Sequence, residues 1–136
     1  MTDRDFHPQD FHPLDPLTRD EFTAVVDILG TAHGVAAPEW RYASIEMAEP
    51  DKAALARYDA DATVPERAAH VVCFERASNK TYKALVSLTD STVTTWEHIP
   101  GVQANFTVDE WEEADAALRS HPDVIAALAR LALKKQ

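Results

Sequence analysis

Only one cysteine occurs in the 136 residues, at position 73. An internal disulfide is therefore excluded, and so are CxxC redox pairs and thiolate metal sites. Cys73 lies in the apolar run Val71-Val72-Cys73-Phe74, where a thiol reads as a small buried hydrophobe and not as a nucleophile. Glycine is scarce, at three residues. None belongs to a phosphate-cradling loop or to a Gly-x-Ser-x-Gly nucleophile elbow. Basic residues are also few: 13 Lys and Arg face 23 Asp and Glu, a formal net charge of -10. Binding a phosphate backbone requires clustered cations, so neither nucleic acid nor an anionic membrane surface is an expected partner. No apolar run approaches the roughly 20 residues that span a bilayer. The polar start, Met1 to Asp5, lacks the apolar segment of a secretory signal. A reducing, cytoplasmic setting is the resulting expectation.

What is present fits one domain with a short appendage. The first residues carry a near-repeat, Asp5-Phe6-His7-Pro8 and Asp10-Phe11-His12-Pro13, followed by Leu14-Asp15-Pro16. Each proline fixes its own φ and biases the preceding residue toward extended backbone. An extended leader over 1–11 is expected, with helix only after Pro16. Thr18 with Glu21 forms a capping box. Phe22, Val25, Val26, Leu29 and His33 then follow helical spacing, predicting a helix over 19–33 closed by Gly34. From Trp40 to Met47 the pattern alternates. Arg41, Ala43, Ile45 and Met47 fall on one side of a strand, and Trp40, Tyr42, Ser44 and Glu46 on the other. Asp51 to Glu66 is charged and Ala-rich and reads as a loop with one helical turn at 52–57. Strands follow at 69–76, 81–88 and 92–99, punctuated by Ser78-Asn79 and Asp90-Ser91. Short connections join antiparallel neighbours.

The last third is helical. Thr107 and Glu110 make a second capping box, and Val108, Trp111, Asp115 and Leu118 mark one stripe. Ser120-His121-Pro122 interrupts it. Val124, Ile125, Leu128, Leu131 and Ala132 mark another stripe, with Lys134 and Lys135 in the last turn. The expected fold class is α+β: one helix packed on a four-stranded antiparallel meander, followed by two C-terminal helices.

The run His12-Pro13-Leu14-Asp15-Pro16-Leu17-Thr18 before a capped helix resembles the opening of bacterial copper amine oxidases. The stretch Val71 to Thr95, with Glu75-Arg76 and Lys83-Ala84-Leu85-Val86-Ser87-Leu88-Thr89, resembles them too. So do Thr107-Val108-Asp109-Glu110-Trp111-Glu112-Glu113-Ala114 and Ser120-His121-Pro122-Asp123-Val124. The resemblance implies that residues 12–105 form an N2 domain of cystatin-like topology, and that 106–136 are a helical segment similar to the start of the next domain, N3. It also implies a parent enzyme that oxidatively deaminates primary amines with copper and a tyrosine-derived quinone, both carried outside this chain.

The chemistry can be checked residue by residue. In that family the quinone arises from a tyrosine that follows Asn and precedes Asp or Glu. Tyr42, Tyr58 and Tyr82 follow Arg, Arg and Thr. Copper there requires three imidazoles, two of them in His-x-His spacing, which points both rings to one face of a strand. The histidines are 7, 12, 33, 70, 98 and 121, and no two are two apart. A Cu(II) site has no basis without such a set. No catalytic, cofactor-binding or metal-ligating residue is expected. His7 and His12 could at most catch adventitious metal. His33 and His121 read as helix-end residues, and His70 and His98 as strand residues that could be cross-strand neighbours. Composition does not exclude Ser-His-Asp chemistry. Asp109, Glu110, Glu112 and Glu113 read as a solvated helix face.

Two functions from different classes follow. The first is a peripheral structural and interaction domain, whose partners are the remaining domains of a parent oxidase or a second copy of the chain. Trp40, Trp96 and Trp111 are its candidate interface anchors, because tryptophan supplies large buried area. The second is a free-standing cystatin-like binding module for a small ligand or a protein partner. Gly101-Val102-Gln103 is not the Gln-x-Val-x-Gly loop that protease inhibitors of that architecture use. The helices of 106–136 are expected either to dock on the sheet or to swap between chains.

Overall fold

The computed structural model describes residues 12–133. Helix α1 spans Arg19–His33, and both halves of the predicted capping box are formed. The Glu21 N–H donates to Thr18 Oγ1 at 3.2 Å, and the Thr18 N–H donates to Glu21 Oε2 at 2.8 Å. Gly34 closes the helix with φ 67°, a left-handed conformation that suits a residue without Cβ. The apolar stripe buries Val25 and Leu29 completely.

Strand β1 (Trp40–Ala48) is followed by α2 (Lys52–Asp61), then β2 (Ala68–Glu75), β3 (Lys80–Ser87) and β4 (Thr92–Ile99). The sheet order is β1-β2-β3-β4, and all neighbours are antiparallel. Asn79 and Ser91, at φ 53° and 55°, turn the chain between the last three strands. The core lies between α1 and one sheet face and consists of Val25, Leu29, Val35, Ala69, Val71, Cys73, Ala84 and Val86.

Two expectations need correction. Residues 52–61 form a ten-residue helix, not a single turn in a loop. The Asp51 side chain caps it by accepting from the Ala54 N–H at 2.7 Å, and Ala62 ends it at φ 60°. No residue of α2 is buried, so hydrophobic periodicity carries little signal there. Alanine propensity and the cap carry the helix instead.

Strict alternation also fails in β1. The register runs from Tyr42 opposite Cys73 to Ser44 opposite Val72, so Ala43 is bulged out. The bulge shifts the phase by one residue. Trp40 and Tyr42 consequently share the core face with Ile45, where period-two spacing put them on opposite sides. β4 repeats the device: Thr95 faces Leu85 and Val93 faces Val86, skipping Thr94. Both Val93 and Trp96 pack against the core as a result. The two bulged strands are the sheet edges, where bulges hinder pairing with another chain.

The chain divides into two compact units, Met1–Ala104 and Asn105–Gln136. In the second, α3 (Val108–Ser120) begins with the predicted capping box at Thr107 and Glu110. His121 ends α3 by donating its N–H to the Leu118 carbonyl at 3.3 Å. Its Nδ1 then accepts from the Asp123 N–H at the head of α4 (Pro122–Leu133). No described helix is long and apolar enough to cross a membrane.

Candidate functional site

The five described histidines are dispersed. His33, at the end of α1, stacks on Trp96 with ring centroids 4.2 Å apart. His98 lies beside Tyr82 at 5.2 Å. His12 meets the edge of Tyr58 at 5.5 Å, and His7 lies outside the described residues. His70 on β2 is paired with Glu46 and Leu85. Since β3 separates β2 from β4, His70 and His98 are not cross-strand neighbours, contrary to the sequence-based expectation. Among the described residues, no group of three or more His, Cys, Asp or Glu side chains could hold a metal ion. Among the described residues the three converging imidazoles that copper requires are not assembled.

Tyr42 and Cys73 are held within the packing of the first unit. Tyr42 donates its hydroxyl to the Val35 carbonyl at 3.5 Å. Burial, with smaller contributions from Cys73 and Asp27, pushes its pKa up to about 12. Burial alone pushes the Cys73 thiol up to about 12. A thiol so reluctant to ionise, with no exposed surface, is a hydrophobe and not a nucleophile.

Two surfaces of the first unit stand out by their side chains. The first is an aromatic layer on the α1 side of the sheet. Tyr82 stacks on Trp96 at 4.6 Å, and Trp40 tilts against both, at 5.4 Å from Tyr82 and 5.9 Å from Trp96. These separations suit the ring quadrupoles. The two β-bulges bring Trp40 and Trp96 together, which their spacing in sequence did not reveal. Both are half-buried and lean on the core. Trp111 belongs to the second unit, where it is 68% exposed and meets the edge of Phe106 at 5.5 Å.

The second surface is the opposite sheet face. Ser44 and Glu46 of β1, His70 and Val72 of β2, Lys83 and Leu85 of β3, and Thr95 and Glu97 of β4 line a shallow depression of about 640 Å³. Glu46 sits opposite His70, and Lys83 opposite Glu97, so each edge strand sets a carboxylate against a nitrogen-bearing side chain of its inner neighbour. Sequence reasoning singled out none of these residues as a surface, although polar alternation along each strand was the available signal. One end of this face is closed. Phe74 and Thr81 are paired and buried there, and Thr81 Oγ1 donates to the Val102 carbonyl at 3.3 Å.

Comparison with known proteins gives this architecture relatives. Residues 12–99 match the family model described as copper amine oxidase, N2 domain. A primary amine oxidase from Arthrobacter sp. (strain P1) is 40% identical over 124 residues, which are 90% of this chain and 18% of that protein. Copper amine oxidase 1 from Schizosaccharomyces pombe is 33% identical over 116 residues, 83% of this chain and 16% of that one. The crystal structure of a copper-containing benzylamine oxidase from Hansenula polymorpha superimposes with a TM-score of 0.75 at 24% identity, covering 88% of this chain and 19% of that one. The chain thus spans less than a fifth of the length of the curated relatives it matches.

Proposed function

We propose that this chain, which belongs to the copper amine oxidase N2-domain family, is a peripheral structural and interaction domain of a copper- and quinone-dependent primary-amine oxidase. The matched region corresponds to an accessory N-terminal domain of a larger oxidase. The parent oxidatively deaminates primary amines, and its copper and quinone reside in other domains. Those domains are the partner of this one. One helix laid across a sequential antiparallel sheet supports a cystatin-like N2 topology.

The observation that carries this reading is the family match over residues 12–99. The donor chemistry agrees with it, because the described side chains do not converge on a metal. Trp40, Trp96 and Trp111 are the proposed anchors, and large exposed aromatic area is the property that makes Trp111 suitable. The test is to incubate the purified chain aerobically with Cu(II) and then add a primary amine. The expected outcome is no quinone absorbance and no hydrogen peroxide. Stoichiometric copper retention with peroxide release would overturn the reading.

A further inference from the structure

Arg67 stands immediately before β2, and its backbone is tied to the end of β3. Its N–H donates to Thr89 Oγ1 at 2.9 Å, and its carbonyl accepts from the N–H groups of Leu88 and Thr89 at 2.8 and 3.2 Å. From this fixed base the guanidinium reaches three other parts of the fold. Nε and Nη2 grip the Glu21 carboxylate of α1 at 2.8 and 3.1 Å. Nη2 also donates to the Pro16 carbonyl at 3.0 Å, and Nη1 to the Pro13 carbonyl at 3.3 Å. Nη1 lies 2.9 Å from Met47 Sδ of β1. The pair is shielded, with side-chain exposures of 13% for Arg67 and 22% for Glu21.

The segment held this way, residues 12–17, has apolar attachment at three points, one of them the edge contact of His12 with Tyr58 at 5.5 Å. Pro13 is buried and Leu17 touches the core, but His12, Leu14 and Pro16 are exposed. Its remaining hydrogen bonds are local: the His12 N–H donates to Asp15 Oδ2, the Leu14 N–H to His12 Nδ1, and the Asp15 N–H to the His12 carbonyl. They shape a turn without fastening it to the sheet. Among the described residues, the long-range hydrogen bonds that fasten it come from one side chain, 51 and 54 residues away in sequence.

We infer that Arg67 is a clasp: Glu21 orients its planar fork, and the fork straps residues 12–17 to the corner where α1, β1 and β2 meet. A bidentate carboxylate fixes the plane of a guanidinium, which leaves its outer N–H groups aimed at the two proline carbonyls. Those carbonyls belong to residues that lack an N–H of their own and so cannot join a ladder from the other side. The clasp sets where residues 12–17 lie on the domain, and it can open without disturbing the core, because none of its side-chain bonds lies within the sheet ladder.

Hydrogen exchange separates this device from ordinary packing. In Arg67→Ala the exchange of residues 12–18 should quicken roughly tenfold or more, the effect expected on losing hydrogen bonds to a charged group. The β2 amides of 69–74 should keep their protection. Glu21→Gln provides the second reading, because glutamine can still complete the capping box while the ionic grip on Arg67 is lost. It should loosen residues 12–18 to a smaller degree and leave α1 protected. Unchanged exchange at 12–18 in both variants would overturn the clasp, since Pro13 and Leu17 would then suffice. Parallel loss of protection at 12–18 and 69–74, or failure of both variants to fold, would overturn it as well, by making the pair part of the core.

Discussion

The body formed by α1 and the sheet and the pair formed by α3 and α4 present similar sequence signals but use them differently. Each contains a helix opened by a Thr-x-x-Glu capping box and an apolar stripe at helical spacing. In the body the stripe disappears: Val25 and Leu29 are fully buried. In the helix pair, α3 has no buried residue, and Ile125, Leu128 and Leu131 of α4 remain 53–61% exposed. An amphipathic pattern therefore states which face a helix offers. Burial requires a second layer wide enough to cover that face. The four-stranded sheet is such a layer for α1, and a single neighbouring helix is not.

The largest expected effect contrasts leucines in the two regions. Leu29→Ala should destabilise by about 2–5 kcal/mol, the usual consequence of a cavity in a packed core. Leu128→Ala, at a 60% exposed position, should stay within about 0.5 kcal/mol. Urea midpoints of the two variants test the contrast, and equal losses would erase the distinction between the regions.

Removing the two caps sharpens it further. Thr18→Ala should cost about 1 kcal/mol of global stability, because α1 unfolds with the core. Thr107→Ala deletes the same box from α3. Its loss should appear as reduced helical circular dichroism before the main transition, with the midpoint of the body unmoved. A shift of that midpoint equal to the Thr18→Ala shift would mean that the two units unfold as one.

The smallest effect is acid sensitivity. Burial by itself raises the Glu21 pKa, but the hydrogen bonds from Arg67 and from the Thr18 N–H, with the Arg67 charge, outweigh it and hold the carboxyl below its ordinary value. Its folded pKa lies below its unfolded one. The stabilisation is therefore complete above the unfolded carboxylate pKa and is lost as pH falls through the folded value. Stability measured downward from neutral pH should decline through that window, and Glu21→Gln should flatten the decline. A variant with an unchanged acid limb would remove Glu21 from the account.

Much of this fold can be read locally. Both capping boxes, the Gly34 terminus, the His121-Pro122 break and the four strands follow from spacing and turn residues. The helix over 52–61 was hidden because it buries none of its residues and so writes no stripe. The aromatic layer of Trp40, Tyr82 and Trp96 was hidden for a different reason. Residues 43 and 94 are bulged, and a bulge is settled by the partner strand and not by the strand that carries it.

The amino-acid chain by itself determined most of the elements, their order and the lack of a His-x-His pair, because helix caps, turns and ligand spacing act over a few residues. Tertiary structure alone decided the phase of the edge strands, the meeting of Trp40 with Trp96, and the grip of Arg67 on residues 46 to 54 positions away. Contacts of that range depend on how the layers close over one another, and no local pattern encodes that closure.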